Sequence, residues 1–303
     1  MLLRFKNLSY WVCGLLLLTS CGSRKQQILR GVHPPVLSVD SLKIHPDSLR
    51  STVIEEAFIA QQEAPIPVVL TTEDKVKIMM RQGVNQESDW NETIHYDVRR
   101  PNFVIIHHTA QQSLQQTIRT FQLDHTKVSA HYVISRDGQV VQMLNDYLRS
   151  WHAGRSKWGN ITDMNSVSIG IELDNNGREP FPDVQINALI HLLARLKSKY
   201  WIPSSNFIGH ADVAPARKND PSVLFPWKRL ADQGFGIWYD EDKLVTPPDN
   251  FNYVDALRII GYDVSNLGAA IETFKRKFIV SDVSKTLTDY DRKVLYNLYR
   301  KYL

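Results

Sequence analysis

Apolar positions in this chain follow two regular periods, and the change from one to the other marks its elements. "NFVIIHH", residues 102–108, is a short run rich in β-formers and predicts a buried strand. Ser113 is placed to cap a helix, with Gln116 three residues on, and Leu114, Ile118 and Phe121 follow at helical spacing. "HYVISRDGQVVQML" predicts two strands joined at Asp137-Gly138, a hairpin signal. "SVSIGIEL", residues 166–173, predicts another buried strand. Asp183 is expected to cap a long amphipathic helix whose Ile186, Leu189, Ile190, Leu193 and Leu196 form one stripe. "NFIGH" predicts a last short strand. Strands and helices alternate, apart from the hairpin. The expected fold is therefore α/β, a mixed central sheet with helices packed on its faces.

On either side of this region the pattern changes. "VTPPDN" interrupts it near residue 246, and the remaining residues read as a small all-α domain. Val254, Leu257 and Ile260 predict one helix, ended at Gly261. Ile271, Phe274 and Phe278 predict a second. Thr288 and Asp291 form a capping box that opens a third, with Leu295, Leu298 and Tyr302 facing inward. Residues 21–91 have no sustained period and carry Pro34, Pro35, Pro46, Pro65 and Pro67, which predicts a tether with one or two short helices. The expected organisation is an N-terminal segment 1–20, a tether 21–91, an α/β domain 92–245 and a helical domain 246–303.

Composition narrows the class. With 303 residues, 43% hydrophobic and 22% charged, the chain is neither disordered throughout nor a multi-span membrane protein. Its net charge is +4, and Arg4 and Lys6 supply two of those charges; without them it is +2, so no nucleic-acid partner is expected. These two basic residues precede "YWVCGLLLLTS", residues 10–20, which has the length of a secretory apolar segment and is too short to span a bilayer comfortably. Leu18-Thr19-Ser20-Cys21 resembles the lipobox of bacterial lipoproteins. That resemblance implies cleavage before Cys21, acylation of Cys21 and stable attachment to a membrane. Gly22 fits sorting to the outer membrane, so the expected location is the bacterial cell envelope, at the outer membrane and facing the periplasm. Cys13 lies in the segment to be removed, which leaves no disulfide in the mature chain. Stability must come from packing, with help from a metal if one is bound.

The candidate chemistry sits where strands end. His107 closes the first strand and His210 the last, and side chains at strand ends converge on one edge of a sheet. Asp220 follows His210 by ten residues, in a stretch that Pro215 and Pro221 are expected to keep out of helix. Two histidines and a carboxylate make a common catalytic zinc set with one position left for water. A single strand-end histidine also reads as an ordinary hydrogen-bonded residue. His108, His125 and His191 take that plain reading, and strand alternation directs His108 to the face opposite His107. Glu172 ends a buried strand, where an unpaired carboxylate is costly. It either has a structural partner or a raised pKa suited to acid–base work.

Five segments, "VIIHHTA", "SAHYVISRDGQV", "WHAGRSKW", "NSVSIGIELDN" and "GHADVAPARKNDP…LFPW", occur in this order within about residues 95–240. Together they closely resemble the zinc-dependent N-acetylmuramoyl-L-alanine amidases of the type 2 family, relatives of the peptidoglycan recognition proteins. The resemblance implies hydrolysis of the amide joining N-acetylmuramic acid to L-alanine, with peptidoglycan or muropeptides as substrate and Zn2+ as cofactor. It makes His107, His210 and Asp220 the metal ligands, Glu172 the catalytic glutamate and Lys218 the catalytic lysine. His131 and His152 fall in motifs near the cleft and are candidate substrate-binding residues, although a structural "WHAG" turn accounts for His152 equally well. Ala130 stands where some relatives carry tyrosine, which puts the acid–base duty on Glu172. "ALRIIGYD" and "AAIETFKRKF" resemble the peptidoglycan-binding domains often fused to such amidases, with "VSNLG" replacing their usual glycine-rich loop. The alternative is a non-catalytic peptidoglycan-binding protein of the same superfamily. Such members typically lack a zinc ligand, whereas here all three are present. A metallopeptidase would need an H-E-x-x-H pattern, which the chain lacks.

Overall fold

The computed structural model describes residues 70–82 and 100–302. Cys21 and the rest of the N-terminal segment and tether lie outside the described residues, apart from one helix, α1 (Thr72–Gln82). α1 belongs to one compact unit and the described residues 100–302 to another.

That unit is built on a five-stranded sheet of β1 (Phe103–His108), β2 (Tyr132–Ile134), β3 (Val140–Gln142), β4 (Ser168–Leu173) and β5 (Phe207–Gly209), in the order β3-β2-β4-β1-β5. β1 runs parallel to both β4 and β5, β2 is parallel to β4, and the β2–β3 hairpin at Asp137-Gly138 supplies the antiparallel edge. This is the mixed sheet that the apolar periods predict. β1 and β4 are unbroken apolar runs because they are covered on both faces.

One face carries α3 (Asp183–Tyr200), whose Ile186, Leu189, Leu193 and Leu196 share a core with Val104, Ile106, Ile169 and Ile171. Asp183 differs from its expected role. Pro182 holds the cap position and Asp183 begins the helix, its carboxylate paired with Arg229. Ser113 does cap α2 (Leu114–Gln122), accepting from the Gln116 N–H at 3.2 Å.

The other face carries α6 (Tyr253–Ile260), α7 (Leu267–Phe278) and α8 (Asp289–Tyr302). Their Leu257, Phe274, Phe278, Leu295 and Leu298 form one core with Phe103, Ile105 and Ile208 of the sheet. Thr288 and Asp291 make the reciprocal capping bonds expected at the start of α8. Tyr302 does not face inward: at 41% exposure, it sits where the last turn of α8 meets solvent.

Alternation along β1 places Phe103, Ile105 and His107 on one face and Val104, Ile106 and His108 on the other. In the β1–β4 register His107 pairs with Glu172, and in the β1–β5 register Ile106 pairs with Gly209, the residue before His210. Three groups from distant parts of the chain therefore reach one edge of the sheet.

Candidate metal centre

His107, His210 and Asp220 converge. Their ligand atoms lie within 4.8 Å of one another, and their residues are 1%, 3% and 8% exposed. Asp220 Oδ2 is 3.0 Å from His107 Nδ1 and 3.1 Å from His210 Nδ1. His210 opens a four-residue helical turn, α4 (His210–Val213), where a non-helical stretch is expected. Proline disfavours helix in the residue before it, and the turn accordingly ends at Ala214, ahead of Pro215. The Ala211 N–H donates to the Asp220 carbonyl at 2.8 Å, tying the two ligand segments together.

The protons around this cluster fit a cation. His210 Nε2 lies 3.1 Å from the Ala153 carbonyl oxygen, which can only accept, so Nε2 carries the ring proton. In the neutral ring this aims the Nδ1 lone pair at a carboxylate, an acceptor facing an acceptor. A metal ion between them removes the mismatch, and two imidazole nitrogens with one carboxylate oxygen form a donor set suited to it.

Burial and the neighbouring His210 lower His107 to about 4, so its ring is neutral near pH 7. Glu172 behaves in the opposite way. Burial, reinforced by the charge on Asp220, pushes it up to about 8, while Lys218 pulls it back. Glu172 Oε1 stands 3.9 Å from His107 Nδ1, and Oε2 is buried with no hydrogen-bond partner among the described residues. Of the two readings left open by its strand-end position, the structure supplies no hydrogen-bonding structural partner.

These groups border a cleft of about 390 Å³, which also takes in Lys218, His152 and the half-exposed Trp151. His108 stands outside the ligand cluster and packs against Gly177, yet its ring reaches the same cleft because β1 ends there.

His131 and His152 have their ring nitrogens occupied inside the protein. His131 is fully buried; its Nε2 donates to the Leu148 carbonyl at 2.9 Å and its Nδ1 accepts the Gly170 N–H at 3.0 Å. It does not border the cleft. His152 contacts His107 through Nδ1 and Ser168 through Nε2.

Several supporting residues escaped the sequence reading. Asn165 Oδ1 accepts the N–H groups of His152 and Ala153 at 3.1 and 2.8 Å, pinning the "WHAG" turn. Arg217 donates to the carbonyls of Ala153 and Arg155 at 2.8 and 2.7 Å. It passes over Gly154, whose positive φ of 57° suits glycine and whose missing Cβ leaves room for the guanidinium. The sequence hint was the glycine beside Ala153. Its partner 63 residues on left no local sign.

Comparison with known proteins agrees with this geometry. The family model described as N-acetylmuramoyl-L-alanine amidase matches residues 97–223. The N-acetylmuramoyl-L-alanine amidase AmiD of Escherichia coli K12 is 35% identical over 190 residues, covering 54% of this chain and 68% of that protein. The 1,6-anhydro-N-acetylmuramyl-L-alanine amidase AmpD of Enterobacter cloacae is 39% identical over 109 residues, 36% of this chain and 58% of the relative. Among solved structures, E. coli AmiD in complex with the substrate anhydro-N-acetylmuramic acid-L-Ala-D-gamma-Glu-L-Lys superposes with a TM-score of 0.62 at 29% identity. It covers 72% of this chain and 97% of its own. AmpDh3 of Pseudomonas aeruginosa in complex with anhydromuramic pentapeptide gives the same TM-score at 27% identity, covering 72% and 98%.

Proposed function

The chain belongs to the N-acetylmuramoyl-L-alanine amidase family, and on that premise we propose that it works as a zinc enzyme, with the ion held by His107, His210 and Asp220. The observation that carries the reading is the convergence of the ligand atoms of His107, His210 and Asp220 beside Glu172, whose buried Oε2 has no hydrogen-bond partner among the described residues. When bound, zinc supplies Lewis acidity that polarises a carbonyl and eases the ionisation of water.

The chain's own groups do the rest. The scissile amide joins the lactyl group of N-acetylmuramic acid to L-alanine of the stem peptide. Glu172, level with His107 in the strand register, accepts the proton of the attacking water at its carboxylate and passes it to the leaving amine. Burial raises the affinity of this carboxylate for a proton, which suits it to act as the base. Lys218, which borders the same cleft, supplies an ammonium for the oxygen that gains negative charge. Buried His107 stays neutral near pH 7, and the Ala153 carbonyl accepts the Nε2–H of His210, which leaves Nδ1 of that ring on the ligand side. The solved relatives make anhydro-muropeptides the first substrates to try.

We extend the reading to the N-terminus. Cys21 carries the lipid, and the mature protein is an envelope lipoprotein at the outer membrane facing the periplasm, as Leu18-Thr19-Ser20-Cys21-Gly22 supports. The last three helices make the peptidoglycan-binding-like segment. Labelled palmitate incorporated by the wild type and lost in Cys21→Ser tests the anchor.

The amidase assay is incubation of a defined muropeptide with and without chelator, followed by mass spectrometry. Intact stem peptide beginning at L-alanine, released only without chelator, is expected. Cleavage inside the stem peptide, or muropeptide that is bound and unchanged, refutes the reading.

A further inference from the structure

We propose that His152 selects which ring nitrogen of His107 faces the metal, making it a positioning residue rather than a substrate-binding one. The inference rests on the zinc reading above.

A buried line of contacts leads away from the cluster. His107 Nε2 is 3.0 Å from His152 Nδ1, His152 Nε2 is 3.2 Å from Ser168 Oγ, and Ser168 Oγ is 2.5 Å from the Met164 carbonyl oxygen. With neutral rings, the protons along it have one consistent arrangement. The carbonyl only accepts, so it takes the single hydroxyl proton of Ser168. Ser168 Oγ is then the acceptor for the Nε2–H of His152. A neutral imidazole holds one ring proton, which leaves His152 Nδ1 as a lone pair. That lone pair accepts the Nε2–H of His107, and His107 Nδ1 is left unprotonated toward Asp220. The other ligand, His210, reaches the same state through the Ala153 carbonyl.

Two further features show that the ring of His152 has a prepared seat. A Cβ at Gly170 would lie 2.5 Å from His152 Cγ, so only glycine lets the ring rest on β4. His152 and Ser168 are 8% and 4% exposed, so water competes little for these bonds. Asn165 fixes the backbone at His152 and Ala153 together, so one side chain orients the partners of both ligand histidines. Groups that orient metal-bound imidazoles in this way typically change metal affinity by about 10–100-fold when lost.

The test measures zinc affinity of the full chain by chelator competition, and the ring tautomer of His107 by ¹⁵N-resolved NMR of the metal-free protein. His152→Leu is expected to weaken zinc by about 10–100-fold. His152→Asn places an amide oxygen where Nδ1 stood and is expected to stay within a few-fold of wild type. Wild-type His107 is expected as the Nε2–H tautomer. Should His152→Leu fail to fold, Ser168→Ala removes only the hydroxyl and is expected to weaken zinc several-fold at unchanged helix content. Unaltered zinc affinity in His152→Leu or, where that variant does not fold, in Ser168→Ala, or an Nδ1–H tautomer in wild type, overturns the proposal alone. A wild-type protein that takes up no zinc overturns it together with the zinc reading.

Discussion

Replacing Lys277 with methionine would strand a buried carboxylate. Lys277, on α7, puts its Nζ 2.7 Å from Asp212 Oδ2, and the two side chains are 5% and 3% exposed. The ammonium also lies 4.0 Å from the centre of the Trp227 ring. Asp212 sits on α4, the short turn that begins with His210. Removing one partner of a buried ion pair costs about 3–5 kcal/mol, because the remaining charge keeps its desolvation penalty. Asp212 would retain the Gly209 N–H at 2.8 Å and the Tyr262 hydroxyl at 2.9 Å, and methionine would still cover Trp227. The loss is therefore expected near the lower end, about 3 kcal/mol. A unit of this size loses roughly 2–4 °C per kcal/mol, so Tm should fall by about 6–12 °C. Urea and thermal unfolding of the full chain measure this. Adding Asp212→Asn removes the stranded charge and should recover all but about 1 kcal/mol. Lys277→Met within about 0.5 kcal/mol of wild type, or a double variant showing the simple sum of the singles, would refute the reasoning.

Two other outcomes are expected at the site. Glu172→Gln keeps shape but loses the proton acceptor; kcat/KM should fall by about 10²–10⁴ with zinc content unchanged, and undiminished turnover would remove Glu172 from proton transfer. In the metal-free protein Glu172 is raised from 4.5 to about 8, so between those values the folded state keeps a proton that the unfolded chain has released, and stability falls as pH rises. His107, lowered from 6.5 to about 4, acts in the opposite sense between those two values. The net fall is concentrated between pH 6.5 and 8 and amounts to about 2 kcal/mol. Urea unfolding in chelator at the two ends of that window measures it, and Glu172→Gln should flatten it. Metal-free stability that is level or rising across the window would contradict this account.

Much of the fold was legible in order of appearance. β1, β4 and α3 announce themselves because burial on two faces, or along one stripe, leaves an uninterrupted apolar pattern. The Asp137-Gly138 turn and the Thr288–Asp291 box are local and depend on few neighbours. The errors arose where long-range contacts override local preference. Asp183 looks like a cap but pairs with Arg229, and α4 forms although prolines come closely after it, because Asp212 and Lys277 hold it. That the last three helices share a core with Phe103, Ile105 and Ile208 could not be read from a break in pattern at residue 246.

By itself, then, the chain's order of residues determined which side chains were available: two imidazoles and a glutamate at or next to strand ends, and a carboxylate and a lysine in the loop that follows the last strand. Only the tertiary structure decided which of them meet and which protons they carry. Parallel register set Glu172 beside His107, and packing brought the Ala153 carbonyl to His210 and the His152 ring to His107. Those partners are separated by 65, 57 and 45 residues, and a hydrogen bond has no local sequence pattern across such distances. Whether a histidine offers a lone pair or a proton depends on what faces its far nitrogen, and that is a property of the fold.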